Sequence, residues 1–299
     1  MNDWNTLADG QSYPPGTLYV VATPIGNVAD LSARALHVLA LADAIACEDT
    51  RNTAHLLNRL GLHKPLLAAH QHNEAEAAQH IAARLAGGER IAYVSDAGTP
   101  GISDPGAKIV AAARASGARV VPLPGPNAAM TALSAAGDLL DAGGGRFTFV
   151  GFLPPKAKAR EAQLRQLAAR PEAWVLYEAP HRIAATLEAL AAALPGERRI
   201  LIGRELTKLF EELVVMRAAA APDWLAGDPA HAKGEFVLVV EGAGEATATA
   251  TGAAVDAHHV LTLLLAELPA KRAAKVAAAI TGVPTDTLYA AALAAKGNA

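Results

Sequence analysis

Several short polar stretches carry most of the residue types that do chemistry in this chain. The segment Ala22-Thr23-Pro24-Ile25-Gly26-Asn27 sets a glycine, free to approach a ligand closely or to take positive φ, between Thr23 and Asn27, which can bond a ligand or cap a helix. A second stretch, VSDAGTPGISDPG over residues 94–106, has three glycines and two prolines that define a tight path. In it, Asp96 can accept hydrogen bonds from a ribose or an amino group while backbone groups around Ser95, Ala97, Gly98, Ile102 and Ser103 grip the rest. Neither the GxGxxG fingerprint in its usual place nor a GK[ST] phosphate loop is present, which disfavours a dinucleotide or a triphosphate. A third stretch, Pro124-Gly125-Pro126-Asn127-Ala128-Ala129, is suited both to joining two domains and to presenting amides at a helix start.

Further along, Tyr177-Glu178-Ala179-Pro180-His181-Arg182 and Arg204-Glu205-Leu206-Thr207-Lys208 each place carboxylate and cationic groups just after an apolar run. Such clusters either orient a polar substrate or pair with each other between loops. Asp49-Thr50-Arg51-Asn52 is a compact polar group of the same kind, and His70, Gln71, His72, Asn73 and Glu74 bear only a loose likeness to a metal cluster. No metal site is expected. A serine elbow and separated cysteine ligands are both missing.

The elements that must hold these stretches follow from hydrophobic patterning. Continuous apolar runs at 17–22, 44–47, 90–95 and 119–123 read as buried parallel strands. Helical patterns at 30–41, 52–60, 74–86 and 105–116 alternate with them, which is the mark of crossover units. A helix at 126–137 follows. Strands at 147–152, 174–177, 199–203, 212–216 and 236–240, with helices at 158–169 and 181–193, describe a second, partly antiparallel sheet. The expected organisation is a flexible leader over 1–16, an N-terminal α/β domain over 17–124, a second α/β domain over 125–241, a linker over 242–256 and a helix-turn-helix-like module over 257–299.

Composition narrows the class. With 299 residues the chain is long enough for about two domains, and 26 basic against 29 acidic side chains rule out a globally basic nucleic-acid coat. Cys47 is the only cysteine, so no internal disulfide forms, and no apolar run is long enough to span a membrane. A soluble cytoplasmic protein is expected. Local positive charge is confined to Lys156, Lys158, Arg160, Arg165 and Arg170, and to Lys271, Arg272 and Lys275 on an amphipathic tail helix. Each patch is either a solvated helix face or a set of phosphate contacts.

Taken in order, TPIGNVADLS, EDTRNT, SDAGTPGISDPG, PGPNA, GFLPP, YEAPHR and RELTKLFEE resemble the motifs of the bacterial small-subunit rRNA cytidine 2′-O-methyltransferases, within the wider tetrapyrrole-methylase fold family. The resemblance runs from about residue 17 to residue 241, and the terminal module resembles that family's C-terminal addition. It implies a class III methyltransferase: two α/β domains enclosing S-adenosylmethionine, usually as a homodimer, with a small helical module appended. The implied reaction is methyl transfer to the 2′-hydroxyl of cytidine 1402 in 16S rRNA of the small ribosomal subunit.

Carried onto this sequence, the resemblance puts cofactor contacts at Pro24, Gly26, Asn27, Ser95, Asp96, Ala97, Gly98, Ile102, Ser103, Asn127, Ala128, Tyr177, Glu178, Ala179, Gly234, Glu235 and Phe236. The acceptor side is expected to use Arg51, Glu178, His181, Arg182, Arg204, Glu205 and Lys208, with Glu178 or Lys208 handling a proton. Lys156, Lys158, Arg160, Lys271, Arg272 and Lys275 are the expected RNA contacts. Two other readings remain open on the residues alone: methylation of a precorrin-like small molecule, and a non-catalytic rRNA-binding or ribosome-assembly role.

Overall fold

A computed structural model of the chain describes residues 7–8, 10–70, 73–244 and 257–297. The first domain is built on a wholly parallel sheet of five strands, β1 (Thr17–Val21), β2 (Ala44–Cys47), β3 (Leu66–Ala68), β4 (Ile91–Val94) and β5 (Arg119–Leu123). Their order in space is β3-β2-β4-β1-β5. Crossovers supply cover on both faces. Helices α1 (Ala33–Leu41) and α2 (Thr50–Arg59) bury Val38, Leu39 and Leu57 on one side, and α3 (Glu74–Ala86) and α4 (Ala107–Ala115) bury Ile81, Leu85 and Ile109 on the other. This two-sided burial is why the strand sequences read as continuous apolar runs rather than alternating ones. Each such side chain removed from water contributes roughly 1.5–3 kcal/mol relative to exposure.

The second sheet has the order β6-β7-β10-β8-β9, from β6 (Phe147–Phe152), β7 (Ala173–Glu178), β8 (Arg199–Arg204), β9 (Glu212–Arg217) and β10 (Phe236–Val240). Only β6 and β7 run parallel; the other pairs are antiparallel. Alternation along β10 sends Phe236, Leu238 and Val240 toward α6 (Ala157–Ala168), α7 (Ile183–Ala193) and α8 (Ala221–Gly227). Val237 and Val239 point the opposite way, onto α5 (Ala128–Ser134). So α5, which follows the last strand of the first sheet, belongs by packing to the second.

Helices α9 (Ala257–Glu267), α10 (Ala270–Thr281) and α11 (Thr285–Gly297) form the terminal module around its own small core of Leu261, Ala273, Ala274, Ala277, Leu288 and Ala292. Gly282, at φ 73°, ends α10 in the left-handed conformation that lets the chain turn into α11.

Four expectations are corrected. The described part of the leader is not frayed: the Tyr13 ring lies 4.7 Å from that of His37 and 6.1 Å from that of Tyr19, and the Tyr13 carbonyl accepts a hydrogen bond from Arg90 Nε at 2.9 Å. Its aromatic ring has apolar surface to cover, and the polar composition of the segment hid that. Second, the start of the supposed linker is tied to the second domain, since Ala243 N donates to Arg170 O at 2.7 Å and Gly244 N to Pro171 O at 3.1 Å; residues 245–256 lie outside the described ones. Third, the helix expected over 126–137 stops at Ser134 and gives way to a 3₁₀ stretch, Gly137–Gly143. Fourth, β3 and α8 lacked a signal of their own, being three and seven residues long.

Candidate active site in the interdomain cleft

Because β1 and β4 are neighbours, the loops that leave their carboxyl ends lie side by side. Thr23 and Gly98 form an antiparallel bridge, Thr23 Oγ1 donates to Ser95 O at 3.0 Å, and Ser95 Oγ donates to Gly98 O at 2.8 Å. From there Thr99 Oγ1 donates to Pro126 O at 2.9 Å, binding the second loop to the third. Asn127 then caps α5 by accepting from Met130 N at 3.1 Å. The three glycine- and proline-rich stretches thus form one hydrogen-bonded wall at the edge where ligands sit in open α/β sheets.

Facing this wall are the ends of β7, β8 and β10, and between them lies a cleft of about 280 Å³. The structure brings Ala97, Gly98, Ile102, Ser103, Asn127, Ala128, Tyr177, Glu178, Ala179, Glu235, Phe236 and Lys208 to it. Ile25, Thr99, Asp104, Phe152, Pro180, Gly203, Leu206 and Val237 also line it and were not among the expected residues. The apolar ones followed from nothing but their place next to a motif. Gly98, at φ 80°, and Gly203 both leave room that a side chain would fill: a Cβ at Gly98 would stand 3.3 Å from Ile25, and one at Gly203 2.9 Å from Val237.

Six expected cofactor residues are placed elsewhere. Ser95 is buried in the wall's own hydrogen bonds. Pro24, Gly26 and Asp96 line a second depression beside the cleft, with Val28, Asn52, His55, Leu56 and Arg59. Asn27 caps the turn after β1 by accepting from Ala29 N at 3.0 Å. Gly234 does not reach the cleft; at φ 93° it makes room for the Glu205 side chain.

The proton-handling assignments are corrected by what the side chains touch. Glu178 has a fully buried carboxylate that pairs with Arg182 Nε at 3.1 Å and accepts from Thr186 Oγ1 at 2.6 Å and from Ala179 N at 2.9 Å. It anchors the start of α7 and has no face left for a substrate. Lys208 Nζ sits between Glu205 Oε1 at 2.7 Å and Glu235 Oε2 at 2.8 Å. Burial works to lower the Lys208 pKa, but the bonds to these carboxylates outweigh it and raise the value above that of an ordinary lysine, so the ammonium is no base.

Of the other acceptor-side residues, Arg182 also donates to Leu153 O, and Arg204 is paired with Glu212 at 3.1 Å, so both serve the second domain's interior. Glu205 accepts from Glu235 N at 2.9 Å besides holding Lys208. His181 is exposed and is not a cleft residue. Arg51 is exposed too, paired with Asp49 at 2.7 Å on the first turn of α2; the hydrogen bond from Arg51 holds the Asp49 carboxyl at about 2. Glu74, from the loose metal-like group, instead accepts from Gly106 N at 2.9 Å and Lys108 N at 3.1 Å and caps α4. Gln71 and His72 lie outside the described residues.

Among the expected RNA contacts, Lys156 and Lys158 are exposed at the start of α6 and Arg160 is half-buried, its guanidinium reaching back to Pro155 O. Lys271, Arg272 and Lys275 are exposed on one side of α10.

Two parallel and mixed sheets with a cleft between their strand ends define a known class of protein. The chain belongs to the tetrapyrrole (corrin/porphyrin) methylase family, whose sequence profile matches residues 17–222. A separate profile, described as the RsmI C-terminal HTH domain, matches residues 251–296. The chain is similar to proteins named Ribosomal RNA small subunit methyltransferase I: it is 48% identical to that of Xylella fastidiosa, over 92% of this chain and 98% of that protein. To that of Pseudomonas aeruginosa it is 47% identical, over 95% and 99% of the two chains. In fold it resembles the crystal structure of uroporphyrin-III-C-methyltransferase from Thermus thermophilus, with a TM-score of 0.52, 21% identity and coverage of 79% of this chain and 98% of that one.

Proposed function

We propose that this chain transfers the methyl group of S-adenosylmethionine to the ribose 2′-hydroxyl of cytidine in the 16S rRNA of the small ribosomal subunit. The observation that carries this reading is that the rRNA methyltransferases it resembles align with more than nine-tenths of both chains, and that the terminal helical module has its own match. Precorrin-like substrates lose ground for the same reason.

The cleft suits the cofactor in shape and chemistry. Ile25, Leu206, Phe236 and Val237 offer an apolar surface for an aromatic base, and the Ala97–Ser103 loop offers backbone groups at close range because Gly98 has no side chain. S-adenosylmethionine supplies an activated methyl on sulfur. What the residues of this chain add is placement, which alone brings much of the rate of a two-reactant transfer. The wall of the first domain holds one reactant while Tyr177–Ala179 and Glu235–Phe236 close on it from the second.

RNA approaches along two exposed cationic features in this reading. Phe152 lines the cleft, and the chain runs from it through Leu153, Pro154 and Pro155 to Lys156, Lys158 and Arg160. On the other side, Arg51, His55 and Arg59 recur every fourth residue along α2, and the last two line the second depression. Lys271, Arg272 and Lys275 of the terminal module extend the contact. A cytoplasmic homodimer completes the proposal. In its support, no described helix is long and apolar enough to cross a membrane, and edge strand β9 exposes Leu213 and Val215 beside exposed Leu209 and Phe210.

The test is incubation of the purified protein with labelled S-adenosylmethionine and small subunits that lack their native modifications, followed by mass spectrometry of the nucleosides. A single 2′-O-methylcytidine is the expected product. No incorporation, with cofactor binding demonstrated and subunits intact, overturns the reading.

A further inference from the structure

Abstraction of the 2′-hydroxyl proton needs a group at the cleft that is free to accept it. Most acceptors there are committed. The Glu178 carboxylate is enclosed by Arg182 and Thr186, Glu235 is bonded to Lys208, and the Tyr177 hydroxyl oxygen accepts from Ala129 N at 3.2 Å. Asp104, in the second half of the SDAGTPGISDPG loop, is different. It lines the cleft, is half-buried, and has no hydrogen bond or ion pair with any described residue.

We propose that Asp104 is the catalytic base of the transfer, a step that rests on the function proposed above. Its carboxylate takes the 2′-hydroxyl proton as the sugar oxygen bonds to the methyl carbon. The carbon–sulfur bond breaks in the same step, its electron pair stays on sulfur as a neutral thioether, and the proton leaves Asp104 for solvent after the products depart. Atoms and charge balance without a metal or a further reactant.

The surroundings tune Asp104 for that work. Burial, then the neighbouring carboxylates of Glu48 and Asp96, push its pKa up to about 6. Asp96 is fixed by Asn52 Nδ2 at 2.9 Å and Asp49 N at 3.2 Å, while Glu48 is itself pushed up by burial and by Asp96. Tyr93 of β4 and Tyr177 of β7 also face Asp104, and burial raises both phenols, so they stay neutral. Lys208, the one cation lining the cleft, is spent on Glu205 and Glu235. A carboxylate raised in this way is a stronger base than an ordinary aspartate and still ionised at neutral pH.

The experiment is single-turnover methyl transfer at saturating cofactor and RNA, across pH, with cofactor affinity measured alongside. Asp104→Asn is expected to slow transfer by about 10²–10⁴-fold and to leave the cofactor dissociation constant within about threefold of wild type. Asp104→Glu should recover part of the rate. In wild type the rate rises with pH through the carboxylate's midpoint and then flattens; Glu48→Gln removes a like charge and should move that midpoint down. A rate for Asp104→Asn within about threefold of wild type, or a loss of cofactor affinity large enough to explain the slowing, overturns the assignment. If wild type itself forms no 2′-O-methylcytidine, the proposed function fails first and takes this step with it. Product from wild type at a rate that ignores Asp104 defeats this step alone.

Discussion

Thr23 and Gly98 exchange both of their backbone hydrogen bonds, at 2.9 and 3.0 Å, although 75 residues separate them in sequence. This pair welds the loop after β1 to the loop after β4 where the cleft wall begins. Gly98 also holds φ at 80°, a conformation that side chains resist. Gly98→Ala therefore costs about 1–2 kcal/mol of stability from backbone strain, and its Cβ presses on Ile25 at 3.3 Å. Calorimetric titration with S-adenosylmethionine should show weaker binding in a protein that still folds; unchanged affinity would contradict the cleft assignment.

Glu178 anchors rather than reacts. Replacing it with alanine leaves the Arg182 guanidinium, four-fifths buried, without its carboxylate, and breaking such a pair costs about 3–5 kcal/mol. Urea denaturation of Glu178→Ala should show that loss, with Glu178→Gln milder because Thr186 and Ala179 keep a partner. A variant of native stability that had lost only its transfer rate would return Glu178 to the list of reacting groups.

The Glu205–Lys208–Glu235 group gives a pH dependence of known sign. Burial pushes the Glu205 pKa up, but the bond from Lys208 and the amide of Glu235 outweigh it and hold the value below the ordinary carboxylate one. Its stabilising contribution is thus present above the unfolded carboxylate pKa, about 4.3, and is lost as pH falls through the lower folded value. For Lys208 the folded pKa is raised, so its contribution is present below about 10.4 and disappears as pH climbs through the folded value. Chemical denaturation at stepped pH should show Lys208→Met with smaller losses at both extremes than wild type has.

The α2 stripe is a prediction about salt. Arg59→Gln and His55→Gln remove groups that, with Arg51, can meet successive phosphates, and each phosphate contact removed flattens the dependence of log affinity on log salt by about 0.7 for single-stranded RNA. Filter binding of rRNA fragments at several salt concentrations measures this directly. A parallel shift with an unchanged slope would place α2 away from the RNA backbone.

Both sheets are legible in the sequence because buried strands leave apolar runs that little else explains; β10 is found from end to end in FVLVV. The cleft wall is legible too, since only glycine and proline trace so tight a loop. Side-chain partners are not. Glu178 and Lys208 look like proton carriers when read as charged residues after strands, and only the fold reveals Thr186, eight residues on, and Glu235, from another strand's approach, closing over them. Asp104 was in plain view inside a quoted motif. Its isolation depends on where Glu48 and Asp96 come to rest, which is a matter of strand order.

Glu74, reaching from α3 to the amides of Gly106 and Lys108, and the Tyr93 hydroxyl, donating to Pro105 O at 2.6 Å, clamp the far end of the 95–106 loop. With Thr23 and Ser95 clamping the near end, the loop is an arch on two piers, set before any ligand arrives. Little ordering entropy then has to be surrendered on capture. Association of the cofactor should accordingly be a single fast phase, proportional to its concentration, with no slow rearrangement behind it.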